Sequence, residues 1–389
     1  MTPRLKLPIA LALMGAVLLA LTPSAMAARG MEVAVQDDSV FLFQFHGGAN
    51  RAKGLKLARQ TKVTFIRSNV VWSYVVNRQK KQKKAPRKIR YNWTGYDALI
   101  RAATAKGVHV QLDLTGPAPA WATGNHKVGV DRPKASAFKA FAKAAAEHFR
   151  TFGPIRYSIW NEPNLRAWIS PVNKGPSLYR GLYTAGYSAI KAADPNASVL
   201  IAETSPYQLA GGKNAMSPLK FLRGVTCATA SYKRARNCAT LHADGFAHHP
   251  YDFAHKPSYK FPGKDNVTLS TLGRLTSALS KLQRANLLTT PSGGVPQLYL
   301  TEYGFFSSGK YKLPRKTQGK YLVQGFQMAQ RNPHVRQLLQ YLFAKPTGNF
   351  RAFDTSITSR KGSATPAFNM LKAWAQKAAK AGQIAVAKL

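Results

Sequence analysis

The sequence predicts a (β/α)8 barrel. Three observations carry that reading. Eight short apolar segments rich in β-branched and aromatic residues recur along the chain, each is followed by a helix-length segment, and no glycine-rich dinucleotide fingerprint follows the first. Alternation of this kind builds a parallel sheet. Eight units with several long loops fit a closed barrel better than the rival, an open doubly wound sheet. No linker or composition break divides 28–389, which reads as a single domain.

Residues 1–27 stand apart from that pattern. Arg4 and Lys6 make a basic start, Leu7 to Leu21 is apolar, and Ala25-Met26-Ala27 is a small-x-small cleavage site. The expectation is a secretory signal peptide removed after Ala27. The apolar run is short for a membrane span, and no later segment is long and apolar enough to be one. The mature protein is therefore expected to be secreted and monomeric, possessing no transmembrane segment.

The first strand is expected over Ser39–Phe45 (SVFLFQF), ended by His46-Gly47-Gly48, with a helix over Arg51–Thr61. Val63–Arg67 is the second strand. Tyr96–Lys106 is a helix that Gly107 closes, because glycine tolerates the left-handed cap. Val108–Leu114 is the third strand, running into GPAPAW. Lys134–Arg150 is a long alanine-rich helix. Arg156–Trp160 is the fourth strand, and Asn161-Glu162-Pro163 stops it. A helix at Leu178–Ala193 leads to the fifth strand, Ser198–Glu203. Leu219–Val225 is a short helix, Asp244–His249 the sixth strand and Leu269–Ala285 a helix. Pro296–Glu302 is the seventh strand, Thr317–Gln330 a helix, Val335–Phe343 the eighth strand and Ala367–Ala379 the last helix.

Charge and cysteine content narrow the setting. Lys and Arg number 57 against 15 Asp and Glu, a formal net charge of +42. Such a field attracts polyanions, so non-specific association with cell-wall polymer or another polyanion is expected, with no obligate nucleic acid partner. The one dense run, Arg78–Arg90 (RQKKQKKAPRKIR), reads as a solvated lid or edge. Cys227 and Cys238 are close in sequence, and an oxidising compartment favours a local disulfide between them. Two cysteines do not make a zinc site, and neither a metal nor a cofactor is called for.

The acids say more. There are five glutamates, Glu32, Glu147, Glu162, Glu203 and Glu302, and three of them stand at predicted strand ends. In a barrel, strand C-termini form the active mouth. That mouth would gather His46, Arg67, Asp113, Trp121, Trp160, Asn161, Glu162, Glu203, His248, His249, Tyr251, Glu302, Tyr303, Tyr341 and Phe343. Two carboxylates across a cleft of tryptophan and tyrosine suit glycosidic bond cleavage, in which one protonates the leaving oxygen and the other attacks the anomeric carbon or activates water. Asp113 reads as structural, and Glu203 as the partner of a basic neighbour in the barrel wall. His248 and His249 read as sugar contacts or packing residues, and His46 as lining the deepest subsite.

Trp160-Asn-Glu-Pro-Asn164 at the end of the fourth strand and Leu300-Thr-Glu-Tyr-Gly304 at the end of the seventh resemble glycoside hydrolase clan A, with wording close to families 5 and 39. The resemblance implies retaining hydrolysis of a carbohydrate substrate. It makes Glu162 the acid/base, Glu302 the nucleophile and Asn161 the partner of the sugar 2-hydroxyl. It makes Tyr251 a positioner of the nucleophile and Arg67 the strand-two arginine. Carbohydrate contacts are expected from Asn161, Arg67, His46, Trp121, Trp160, His249, Tyr251, Tyr303 and Tyr341. Many clan members carry a tryptophan at the end of strand eight; here the strand reads LLQYLFAKP. The alternative class is a non-catalytic basic barrel that binds anionic cell-wall polymer or nucleic acid.

Overall fold

The computed structural model describes residues 30–44, 50–208, 212–347 and 353–387. Eight parallel strands close on themselves in chain order. They are β1 (Glu32–Gln36), β2 (Phe65–Val71), β3 (His109–Thr115), β4 (Arg156–Ile159), β5 (Ser198–Thr204), β6 (Gly245–His248), β7 (Leu298–Tyr303) and β8 (Val335–Tyr341). β8 pairs back onto β1, with Val33 opposite Leu338. The principal helices are α1 (Arg51–Gln60), α2 (Thr94–Thr104), α3 (Ala135–Phe149), α4 (Gly175–Ala193), α5 (Pro218–Val225), α6 (Leu272–Arg284), α7 (Arg315–Gln330) and α8 (Pro366–Lys380). The predicted barrel is the fold observed. The leader expected over 1–27, and His46, lie outside the described residues. Among the described residues, no helix is long and apolar enough to cross a membrane.

The first strand corrects the expectation. The apolar run after Ser39 is not a strand; it begins as a helical turn over Asp38–Phe41. The Asp37 carboxylate accepts from the Val40 amide at 3.2 Å, a helix N-cap that a strand cannot offer. Val40 and Phe41 then bury against Gly54 of α1, where a Cβ would stand 2.6 Å from Val40 Cγ1. The true β1, EVAVQ, is polar at both ends because those ends face the barrel interior. Glu32 meets Arg156, and Gln36 meets Arg67.

Polar pairs fill much of that interior. Near the N-terminal ends of the strands, Arg156 forms a two-pronged pair with Glu32 at 2.8 and 3.1 Å. Its guanidinium lies 3.8 Å from the Phe65 ring centroid and 4.5 Å from that of Tyr299, so the cation is both paired and stacked. Gly245 is required beside Tyr299, whose ring would be 2.3 Å from an added Cβ. Outside the sheet, α3 buries Phe138, Phe141 and Phe149, and Trp72 stacks on Phe141 at 5.2 Å. Cys227 and Cys238 are joined by a disulfide in the loop after α5. Gly107 holds φ +68° just beyond α2, as its place near the cap predicts.

Candidate active site

The site begins with backbone strain at two neighbouring strand ends. Trp160 (φ 67°) and Glu162 (φ 38°) follow β4 in left-handed conformations, and Ala202 (φ 95°) and Glu203 (φ 48°) adopt them on β5. Such residues cost on the order of 1–3 kcal/mol each and persist only where surroundings hold them. The surroundings are visible. The Asn161 amide donates to Thr115 Oγ1 at 2.9 Å, the Glu162 amide to the Glu203 carbonyl at 3.0 Å, and the Ala202 amide to Tyr179 Oη at 2.6 Å. After this turn Asn161 and Glu162 line the barrel mouth, while the Trp160 ring lies buried against Phe138.

Arg67, fully buried on β2, ties that strand to β1, β3, β5 and β7 and to the turn after β4. Its Nη1 donates to Glu302 Oε1 at 2.9 Å and to Gln36 Oε1; its Nη2 donates to Asn161 Oδ1 at 2.8 Å. Nη2 also stands 3.4 Å from Asp113, and Nε 3.4 Å from Glu203. An arginine has donors only, so it fixes the Asn161 amide with its oxygen inward and its NH2 free.

His249 is the second hub. Its Nε2 is 2.8 Å from Glu203 Oε2, its Nδ1 is 3.0 Å from Glu162 Oε1, and Glu302 Oε2 lies 3.7 Å from that same Nδ1. The two carboxylates thus reach the same nitrogen, Glu162 from the end of β4 and Glu302 from β7. Tyr251 Oη donates to Glu302 Oε2 at 3.2 Å, and Thr301 Oγ1 donates to Glu203.

Charge follows from these contacts. Burial alone would lower the His249 imidazole, but Glu302, Glu162 and Glu203 outweigh it and push it up to about 10. Its neighbour His248 goes the other way, to about 3, because burial removes it from water and the nearby His249 opposes a second positive charge, while its ring nitrogens meet Thr204 and the Val267 carbonyl. Burial would raise Glu203, yet Arg67 and His249 hold it at about 2. Burial pushes Asp113 to about 8 despite Arg67, and raises Glu302 against the pull of His249 and Arg67. The acidic neighbours favour the cationic forms of Arg67 and His249, and burial favours the neutral form of Asp113.

Glu162 and Glu302 face a cleft of about 340 Å³, lined also by Asn69, Asn161, Trp168, Tyr207, Tyr251, Phe253, Tyr341 and Phe353. Several residues expected at this cleft stand elsewhere. Trp160 is fully buried and gives its indole N–H to the Trp168 carbonyl at 2.8 Å. Trp121 is buried in the turn Ala120–Ala122 after β3. Tyr303 is buried next to Gly325 and Phe305. Alternation explains Tyr303, since the residue after an inward Glu302 points outward. His249 lies beneath the carboxylates as their bridge, and is fully buried. Glu203 does pair with basic neighbours, but inside the barrel. Trp168, Tyr207 and Phe253 were missed because they sit on loops, where no periodicity marks a facing side chain. Asn69 had a signal, being two residues beyond Arg67 on the same strand.

The fold and site combine a closed (β/α)8 barrel with a glutamate just after β4 and another on β7, both lining one cleft. The family model for Cellulase (glycosyl hydrolase family 5) matches residues 26–332. The chain belongs to glycosyl hydrolase family 5. Among curated proteins, none matches it in sequence. Solved structures show the same fold. A family 39 glycoside hydrolase from the gut symbiont Bacteroides cellulosilyticus WH2 superposes with a TM-score of 0.63 at 16% identity, covering 90% of this chain. The chain spans 64% of that protein's length. A GH39 β-xylosidase from Caulobacter crescentus gives 0.58 at 18% identity, over 89% of this chain and 71% of its own. XacCel5A, solved in complex with cellopentaose, gives 0.54 at 16% identity, over 89% of this chain and 99% of its own.

Proposed function

We propose that the protein is a secreted retaining glycosidase of a poly- or oligosaccharide, with Glu302 as nucleophile and Glu162 as acid/base. The observation that carries this reading is the shared His249 Nδ1. It is approached by a carboxylate just after β4 and another on β7 that line one cleft, and a close carboxylate pair is what double displacement uses. The Glu302 carboxylate attacks the anomeric carbon while Glu162 gives its proton to the departing glycosidic oxygen. The C–O bond breaks and a glycosyl ester forms on Glu302. Glu162, now a carboxylate, takes a proton from water as that water attacks the ester, which restores both groups. The free NH2 of Asn161 is placed to donate to a sugar hydroxyl.

Contacts support the division of roles: Arg67 and Tyr251 both donate to Glu302, which favours an ionised nucleophile, and Glu162 faces the cleft beside His249. Trapping with a panel of activated 2-fluoro glycosides, read by intact mass and peptide mapping, tests the proposal. A glycosyl adduct on Glu302 is expected and would identify the sugar. A wild-type enzyme that turns over no aryl glycoside of a broad panel would overturn it.

A further inference from the structure

The basic run Arg78–Arg90 sits at the catalytic rim. It belongs to the loop after β2, and in a parallel barrel that loop shares one face with the cleft. Asn69, two residues before the end of β2, lines the cleft itself. The loop packs on its neighbour after β3, where the Ser73 amide donates to the Pro117 carbonyl at 3.0 Å and His126 Nδ1 meets the Lys83 carbonyl at 3.3 Å.

The loop is held largely by contacts that do not use its charges, apart from Lys80, whose ammonium lies 5.9 Å from the Tyr74 ring centroid. Gln79 clamps it, donating to the Lys88 carbonyl at 3.0 Å and accepting from the Arg90 amide at 2.8 Å. Tyr91 and Trp93 stack at 5.0 Å, and both lie against Phe141 of α3. No Asp or Glu occurs in the sequence from residue 39 to residue 96. Among the described residues, no Lys or Arg of the run forms a salt bridge, and all are exposed except the half-buried Lys80. Like charges pinned together repel, and a polyanion laid across them relieves that cost.

The cleft has the opposite character. Among the described residues, no Lys or Arg lines it; its walls there are largely aromatic and amide, around a carboxylate pair. An anionic sugar seated there would meet two carboxylates, Glu162 and Glu302, with no Lys or Arg among the described lining residues. We propose that the enzyme's substrate is a polysaccharide that is uncharged at the sugar being cleaved and carries anionic groups farther along, which the β2 loop binds. This rests on the glycosidase reading above. Nucleic acid is disfavoured because its sugars are joined by phosphodiesters and N-glycosidic bonds, with no O-glycosidic bond whose oxygen Glu162 could protonate.

The test compares wild type with a Lys80→Ser, Lys81→Ser, Lys83→Ser, Lys84→Ser variant. A control of equal net charge carries Lys106→Ser, Lys320→Ser, Lys377→Ser and Lys380→Ser, all exposed positions on or beside helices. Probes are carboxymethyl-cellulose, neutral hydroxyethyl-cellulose and a single-stranded DNA oligonucleotide, bound at low and high salt. Surface ion pairs contribute about twofold or more each, so the loop variant should bind carboxymethyl-cellulose on the order of tenfold more weakly. It should lose most of the salt dependence, while the control stays near wild type. Hydrolysis of a small neutral aryl glycoside should be unchanged in both, which also shows that the variants fold. Equal weakening in loop variant and control would overturn the inference, as would a loop effect on DNA alone. Binding that behaves as expected without any aryl glycoside turnover by wild type would instead refute the glycosidase reading on which the inference rests.

Discussion

His249→Gln is the most revealing perturbation. In the wild type the imidazole is fully buried and touches three carboxylates. Its rise from 6.5 to about 10 corresponds to roughly 5 kcal/mol, at about 1.4 kcal/mol for each tenfold change in the protonation equilibrium. The sign follows from the direction. A group whose folded pKa is raised contributes stability that is fully present below its unfolded value and is lost as pH rises through the folded value. The stabilisation from His249 is therefore complete below pH 6.5 and fades towards pH 10. Glutamine removes the cation and leaves Glu203 and Glu162 facing a neutral amide, for which buried-pair disruption predicts a loss of about 3–5 kcal/mol near neutrality. Thermal melts of both proteins between pH 6 and pH 10.5, expressed as a difference curve, isolate this one group from the many surface lysines. The gap should be widest near pH 6.5 and narrow steadily towards pH 10. A gap of constant size across that range would refute a charged His249 and leave it a neutral bridge.

Three other outcomes follow from the same geometry. Arg67→Met strips the partner from buried Glu203 and Glu302, so it should cost about 3–5 kcal/mol at pH 7. The penalty should shrink as pH falls through the carboxylate range, because Glu203 no longer has to stay ionised; melts that show the same penalty at pH 7 and pH 4 would contradict this. Glu162→Gln should lower kcat by about 10²–10⁴ on glycosides with poor leaving groups and much less on activated aryl glycosides, and steady-state rates on both would expose an equal loss. Cutting the Cys227–Cys238 bond by a Cys→Ser pair, which opens a link of sequence separation 11, should cost about 2–4 kcal/mol in chemical denaturation and leave aryl glycoside turnover unchanged.

The sequence alone determined the barrel, because period and punctuation are local properties. Alternating apolar segments and helix-length segments, glycine at a helix cap and proline after Glu162 all act within a few residues of themselves. The pair Glu162 and Glu302 was legible for a related reason, since each interrupts an apolar strand with a charge that burial would otherwise forbid. Local rules failed at β1, where the Asp37 cap turned an apolar run into helix and polar EVAVQ became the strand. Its Glu32 and Gln36 are tolerable only because Arg156 and Arg67 wait across the barrel, at positions 124 and 31 residues away in sequence.

The tertiary structure alone decided how the site is wired. Sequence spacing has no means of showing that His249 would face three carboxylates while His248 meets the Thr204 hydroxyl and the Val267 carbonyl. The adjacent residues point to opposite surroundings, and burial amplifies each environment into an opposite charge state. It also had no means of separating Trp160, turned into the core by a left-handed backbone, from Trp168, which reaches the cleft from a loop. A strand end tells which residues arrive at the mouth. Which of them face one another depends on the closing of eight strands into a ring, and in this protein that closure brings Glu162, Glu302 and His249 together.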